Sequence, residues 1–270
     1  DGSIQWVHVR HEEAGAYAAS MDAELNGIGC CMGSSGPGHV HLINGLYDAN
    51  RSGNPVIAIA STITTDKLGT VNFQETNVVK LFDDCSKYCF MANTPIQAIH
   101  GLQGAIQHAI NERGVGVLGL PGDVAEADAE AVTTSEKNYY TNPVILPGKA
   151  ELDELSEVVN SNKKVMIYCG YGCKDAQTEV MQLAEKLQAP MGFSFRGKIF
   201  FDKETNPFAV GLNGLLGTKS GFLSMHEADL VILLGTDFPY TDYLPEKNTI
   251  VQIDLKPERI GRRAKVDYGY

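Results

Sequence analysis

The sequence predicts an α/β protein made of two three-layer domains, each a largely parallel sheet flanked by helices. Three observations predict it. Short β-branched or wholly apolar runs alternate with helical stretches along the whole chain, the pattern of parallel βα units. Runs such as Pro55-Val56-Ile57-Ala58-Ile59-Ala60 are apolar without alternation, as strands covered on both faces are. Between 124 and 149 that periodicity is lost, and small, acidic and polar residues dominate. The domains are therefore expected at 1–123 and 150–270, with 124–149 as linker.

In the first domain the pattern predicts a strand over 4–9, a helix over 12–26 and a strand over 27–32. A glycine-rich turn, Gly33-Ser34-Ser35-Gly36-Pro37-Gly38, then leads into a helix ending near Asn50. Strands follow over 55–60 and 87–91. Thr94-Pro95 opens a helix with a hydroxyl at the cap and proline in the first turn. That helix is expected to reach Arg113, with Ile96, Ile99, Ile106 and Ile110 as its inner stripe. A strand over 114–120 ends at Pro121-Gly122-Asp123.

The second domain opens with a helix over 150–161, carrying Leu152, Leu155 and Val159 at helical spacing. A strand over 164–169 leads through Gly170-Tyr171-Gly172-Cys173 to a helix over 174–188, facing inward through Val180, Leu183 and Leu187. Strands over 191–195, 230–234 and 249–253 complete the pattern, with a short helix over 220–227.

Composition sets limits on function. At 270 residues, 43% apolar and 20% charged, the chain is an ordinary globular protein of about two domains. A net charge of −11 argues against a nucleic-acid or anionic-membrane surface. There is no apolar run of membrane-spanning length and no signal-peptide pattern, so cytoplasm is the expected compartment. The six cysteines lack the CxxC spacing of zinc knuckles and read as buried reduced thiols. The seven histidines show no HExxH pattern, and no metal site is expected from them.

Four stretches invite a chemical reading. Glu12 and Glu13, in Arg10-His11-Glu12-Glu13-Ala14-Gly15, stand where a strand meets a helix, and open α/β sheets hold ligands at the carboxyl ends of strands. On local pattern alone they are ordinary first-turn helix charges. The turn from Gly33 to Gly38 lacks both the GK[ST] of a P-loop and the GxSxG elbow, so it reads equally as a plain turn. Gly170-x-Gly172-x-x-Asp175 has two of the three positions of a dinucleotide fingerprint. Its company of strand-end Gly and Asp residues, at Arg196-Gly197, Gly235-Thr236 and Asp254, points to a nucleotide-bearing domain. The long polar loop over 64–75 contains Phe73-Gln74-Glu75 and names no chemistry by itself.

Together these stretches carry a resemblance. RHEEAGAYAAS, GSSGPGHVHLINGLYDA, NFQET and RGVGVLGLPGDV, in that order, resemble the pyrimidine-binding domain of thiamine-diphosphate enzymes. RGK, GLNGLLG, LLGTDFPY and IVQIDLKPERIG resemble the central FAD-binding domain of the pyruvate oxidase family, closest to its quinone-dependent branch. The resemblance implies that Glu12 faces N1′ of the aminopyrimidine and favours the imino tautomer, whose imino group takes the thiazolium proton. Glu13 is left a helix-turn role. Pro37, Gly38 and Asn44 are implied near the pyrimidine, and Phe73 and Gln74 as walls of the substrate pocket. Arg196, Leu212, Asn213, Gly214, Leu215, Gly235, Thr236, Asp237, Phe238, Pro239 and Asp254 match FAD-contacting segments.

The implied reaction is oxidation of pyruvate to acetate and CO2 through thiamine diphosphate and FAD, with a quinone as acceptor. Use of O2 and phosphate, or carboligation as in acetolactate synthase, are the neighbouring alternatives, and a non-catalytic FAD- or nucleotide-binding module is the alternative of another class. The family shares its sites between subunits of a dimer-built tetramer, and some members touch the membrane peripherally. Gly122-Asp123-Val124 is not the family's GDG…N motif, so the ligands of Mg2+ and the diphosphate are expected outside these residues, and this stretch alone is expected to be inactive.

Overall fold

A computed structural model describes residues 4–129 and 144–270. The chain forms two compact units, Asp1–Pro143 and Val144–Tyr270. Both are parallel sheets flanked by helices, as the alternation predicts.

In the first unit the elements run α1 (Glu12–Asn26), β1 (Gly29–Gly33), α2 (Pro37–Ser52), β2 (Val56–Thr62), α3 (Val78–Phe82), β3 (Tyr88–Met91), α4 (Pro95–Glu112), β4 (Val115–Pro121) and α5 (Gly122–Glu126). The sheet order is β1-β2-β4-β3, every pair parallel. Strand β2 shows why its run carries no polar alternation. Val56, Ala58 and Ala60 pack into a core with Ala16, Leu42 and Leu46 of α1 and α2, while Ile57 points the other way onto Ala105 and Ala109 of α4. Both faces are dry, so both need apolar residues.

Helices α1 and α2 approach closely because their contact residues are small. A Cβ on Gly45 would stand 2.6 Å from that of Ala16 and 2.9 Å from the Tyr17 nitrogen. This packing brings the first turns of the two helices together and so builds the site described below.

Two expectations fail in this unit. Residues 4–9 form no strand: β1 lies at the sheet edge, and no strand among the described residues pairs with them. Strand preference measures fit to a pleated, half-buried surface, and without a partner Ile4, Trp6 and Val7 remain exposed. In α4 the fully buried stripe is Gly101, Ala105 and Ala109; of the isoleucines, Ile106 packs half-buried against that core, Ile99 and Ile110 are half-buried and Ile96 is exposed. The sheet lies too near for bulk there: a Cβ on Gly101 would meet Phe90 at 2.5 Å. The Thr94 cap forms as expected, its hydroxyl accepting from the Gln97 amide at 3.2 Å.

The second unit runs α6 (Lys149–Ser161), β5 (Val165–Cys169), α7 (Gln177–Leu187), β6 (Met191–Phe193), α8 (Lys198–Phe201), β7 (Ala209–Leu212), α9 (Lys219–Glu227), β8 (Leu230–Leu234), β9 (Thr249–Ile253) and β10 (Tyr268–Gly269). Its parallel sheet has the order β10-β9-β8-β5-β6-β7. The short edge strands β7 and β10, and helices α3 and α8, carry too few residues to show a period, and the sequence pattern misses them. Among the cysteines, Cys31, Cys85, Cys169 and Cys173 are buried, but Cys30 is exposed, because alternate side chains of edge strand β1 face outward. No helix of the described residues is long and apolar enough to cross a membrane.

Candidate functional site

Glu12 is the first residue of α1, and the helix begins with an imidazole as its cap: His11 Nδ1 accepts from the Glu13 amide at 3.2 Å. His41, in the first turns of α2, donates from Nδ1 to Glu12 Oε2 at 3.1 Å. Its ring stacks on His11, with centroids 4.5 Å apart. The other Glu12 oxygen faces Gly38, where a Cβ would stand 3.4 Å away. Backbone amide donation at the helix start, then the His41 bond, hold the Glu12 carboxyl below the usual carboxylate range. An ionised carboxylate therefore waits beside the start of α2.

The second acid of the pair has a different partner. Asn44 Nδ2 donates to Glu13 Oε1 at 2.5 Å, so the Asn44 amide ties α2 to α1 and its side chain is engaged within the protein. Around the Gly33–Gly38 turn, Gly36 has a positive φ of 67° and lies against Gln74 of the 64–75 loop. Ser35 Oγ and Thr64 Oγ1, one on each of these segments, are buried hydroxyls with no hydrogen-bond partner among the described residues. Orphaned polar atoms of that kind are unusual in a native interior and fit a ligand that completes them.

His39 stands two residues from His41, about 200° around the helix, and faces inward. Its Nδ1 donates to Ser61 O at 2.9 Å, which leaves Nε2 to accept from the Thr76 hydroxyl at 2.6 Å. Burial pushes its pKa below the ordinary value, so this is a neutral imidazole pinning α2 to β2 and to the far end of the loop. Phe73 projects into solvent at 83% exposure. A cleft of about 360 Å³ beside the loop is lined by residues including Leu68, Val71, Glu75, Thr76, Val78 and Met91 and does not include Glu12.

Sequence spacing hides the grouping of His11, Glu12 and His41, whose ligand atoms lie within 4.8 Å of one another. Two imidazoles suit Mg2+ poorly, since that ion takes oxygen ligands. Asp123 is no better placed: its carboxylate accepts from both the amide and the hydroxyl of Thr65. The residues here do not fit Mg2+.

In the second unit several matched residues turn inward. Phe238 is 5% exposed and packs edge-on against Tyr168. Asn213 is buried, donating toward Tyr243 O and accepting from the Gly214 amide at 2.9 Å. Thr236 is buried, and its carbonyl accepts from Gln252 at 3.3 Å. Gly170 and Gly172 serve loop packing, since a Cβ on Gly172 would meet the Gly235 Cα at 2.7 Å and Gly172 donates to Gly235 O at 3.0 Å. That explains the glycines of the partial fingerprint without a ligand.

Other matched positions stay accessible or incomplete. Leu215 is exposed, near Leu212 at the end of β7. Arg196 lies over the Tyr171 ring at 3.8 Å, a cation–π contact. Asp237, beside Pro239 in the segment after β8, pairs with Arg262 and Arg263. Asp254, just past β9, accepts from the Lys256 amide at 2.9 Å through one oxygen, while its buried Oδ2 has no partner. A carboxylate oxygen waiting for a donor at a strand's carboxyl end suits a ribose hydroxyl.

The class of protein follows. Residues 1–81 match the thiamine pyrophosphate enzyme N-terminal TPP binding domain, and residues 152–270 match the thiamine pyrophosphate enzyme central domain. The chain belongs to the thiamine pyrophosphate enzyme family. Among individual relatives, it is 43% identical, over 99% of its length, to an uncharacterized 42.6 kDa protein of Pseudomonas amyloderamosa, covering 68% of that protein. It is 37% identical over 98% to a putative thiamine pyrophosphate-containing protein of Bacillus subtilis, covering 46% of it. It is 33% identical over 98% to a pyruvate oxidase of Lactiplantibacillus plantarum, covering 45%. Acetolactate synthases also match, at 27–30% identity. The chain thus spans less than half of two of these three relatives.

Proposed function

We propose that this chain supplies the pyrimidine-binding and central domains of a thiamine-diphosphate enzyme that oxidatively decarboxylates pyruvate. The observation that carries the reading is the Glu12 carboxylate, ionised at the start of α1, bound by His41 through one oxygen and facing Gly38 with the other. When bound, thiamine diphosphate supplies the nucleophilic carbon and the electron sink that decarboxylation of a 2-oxo acid needs. Glu12 holds a proton on the pyrimidine N1′ by accepting a hydrogen bond from it, which an ionised carboxylate does and a neutral one does less well. Gly38, where a Cβ would overlap Ser34 Oγ, lets the start of α2 pack beside Glu12, and Pro37 lies exposed next to it. Phe73 and Gln74 face the substrate side, and Ser35 and Thr64 offer hydroxyls to the bound molecules.

In the second unit Asp254 is the residue that best fits FAD, through its unpartnered Oδ2. Leu212, Leu215, Gly235, Asp237, Pro239 and Arg196 complete the proposed flavin contacts. From Asn213, Gly214, Thr236 and Phe238 any contact would come through backbone, because the side chains of Asn213, Thr236 and Phe238 are buried in protein and Gly214 has none. The complete enzyme is proposed to be a homo-oligomer with shared sites, to take Mg2+ through residues beyond these two units, to work in the cytoplasm or peripherally at the membrane, and to pass electrons to a quinone.

Likeness to the acetolactate synthases supports a second reading, carboligation with a structural flavin. One experiment separates the two. The complete protein is mixed anaerobically with pyruvate, thiamine diphosphate and Mg2+ while the flavin bands are followed. Bleaching is expected. A flavin that stays oxidised while pyruvate is consumed would overturn the oxidase reading, and absence of any flavin would remove its redox part altogether.

A further inference from the structure

The loop between β2 and α3 holds two side-chain-bearing residues in the left-handed region within four positions, Val71 at φ 57° and Gln74 at φ 64°. Val is β-branched and among the residues least tolerant of that conformation. Neither residue is glycine, so the arc must be held by something other than its own preference.

Glu75 holds it. Its Oε1 accepts from the Gly69 amide at 2.6 Å and its Oε2 from the Asn72 amide at 2.9 Å, while the Glu75 amide donates back to Asn72 O at 3.0 Å. One carboxylate thus closes the arc from both sides. The loop's entrance is tied independently, by the amide and hydroxyl of Thr65 on the Asp123 carboxylate. Its exit is tied by Thr76 on His39. Between these ties Gln74 is pressed against Gly36, where a Cβ would stand 2.9 Å from its own, and Phe73 is held out in solvent. Burying Phe73 would be the cheaper arrangement for a loop free to choose.

We propose that Glu75 is a positioning residue: its two-oxygen clamp fixes the 71–74 arc so that Phe73 and Gln74 meet the 2-oxo acid, and it thereby sets substrate affinity without touching the proton chemistry at Glu12. This rests on the function proposed above. The clamp uses charge-assisted hydrogen bonds to backbone, which fix a loop's path more firmly than neutral ones.

The test uses the complete enzyme with Glu75→Gln, which keeps one acceptor oxygen, and Glu75→Ala, which keeps none. Hydrogen exchange is read over 68–75, and kcat and KM for pyruvate are measured. Glu75→Ala is expected to speed exchange of this loop by about tenfold or more and to raise KM by a similar factor, with kcat held within about twofold. Glu75→Gln should fall between it and the parent. Unchanged loop exchange in Glu75→Ala overturns the proposal, and so does a loss of kcat at constant KM. If the unmodified enzyme does not turn over pyruvate, it is the functional reading that fails, and the loop exchange still decides whether Glu75 holds the arc.

Discussion

Phe73 and Phe238 carry the same side chain, and both lie in segments that resemble ligand-contacting stretches of one enzyme family. Phe73 is 83% exposed on a loop, whereas Phe238 is 5% exposed and packed against Tyr168 and Tyr240. The contrast runs through the two units. In the first, the side chains of Glu12, Phe73 and Gln74 stand at the surface of the α1 start and the 64–75 loop. In the second, Asn213, Thr236 and Phe238 spend their side chains on the core. In the second unit the segments around Asn213, Thr236 and Phe238 therefore present backbone outward, with Asp254 and Leu215 as side-chain exceptions.

The sharpest break of that comparison is a pair of truncations. Phe238→Ala should cost about 3–5 kcal/mol of stability by the usual scale for buried aromatics. Phe73→Ala should stay within about 0.5 kcal/mol, as exposed positions do. Denaturant unfolding of both variants checks this, and a large stability loss from Phe73→Ala would show that the loop belongs to the core.

Next in size is the acid pair. In the complete protein Glu12→Gln should slow proton exchange at the thiazolium C2 on the order of 10²-fold, the low end for loss of a proton-managing group. Glu13→Gln keeps an oxygen that can accept from Asn44 Nδ2, removes only the charge, and should change the rate by no more than about a few-fold. Equal losses would sink the assignment of Glu12. Asn44→Ala, which does remove that hydrogen bond, should likewise leave the rate within about a few-fold of the parent.

The smallest expected effect is a pH dependence in the first unit. Burial lowers the His39 pKa from the ordinary 6.5, so the unfolded chain binds this proton more readily than the folded one. Stability from this residue is present above that value and is lost as pH falls through and below it. Stability should fall as pH is lowered from about 7.5 to 5.5, and His39→Gln should flatten that fall. Hydrogen exchange of the α2 amides as a function of pH and urea reads this directly. A slope that survives the substitution would assign it to another group.

Some of this was legible in the residues themselves. The helix over 12–26 and the strands over 230–234 and 249–253 are recovered at the expected bounds, because helical pairing closes within four residues and these two apolar runs do find parallel neighbours in the sheet. The strand over 4–9 fails for the opposite reason: a ladder needs a neighbour, and no local pattern supplies one. His41 and Glu75 escaped notice because neither residue type nor spacing announces a partner. His41 meets Glu12 across 29 positions, and Glu75 acts on amides that any sequence would provide.

The sequence by itself determined the βα alternation, the two acids at the head of α1 and the family likeness that gives one of them chemical meaning. Tertiary structure decided which partner each acid meets. The close approach of α1 and α2 over Ala16 and Gly45 sets His41 on Glu12 and Asn44 on Glu13. Periodicity reports what a residue does within its own turn of helix. Which side chain it meets across the next helix depends on how closely two backbones pack, and here on a glycine with no Cβ to hold them apart.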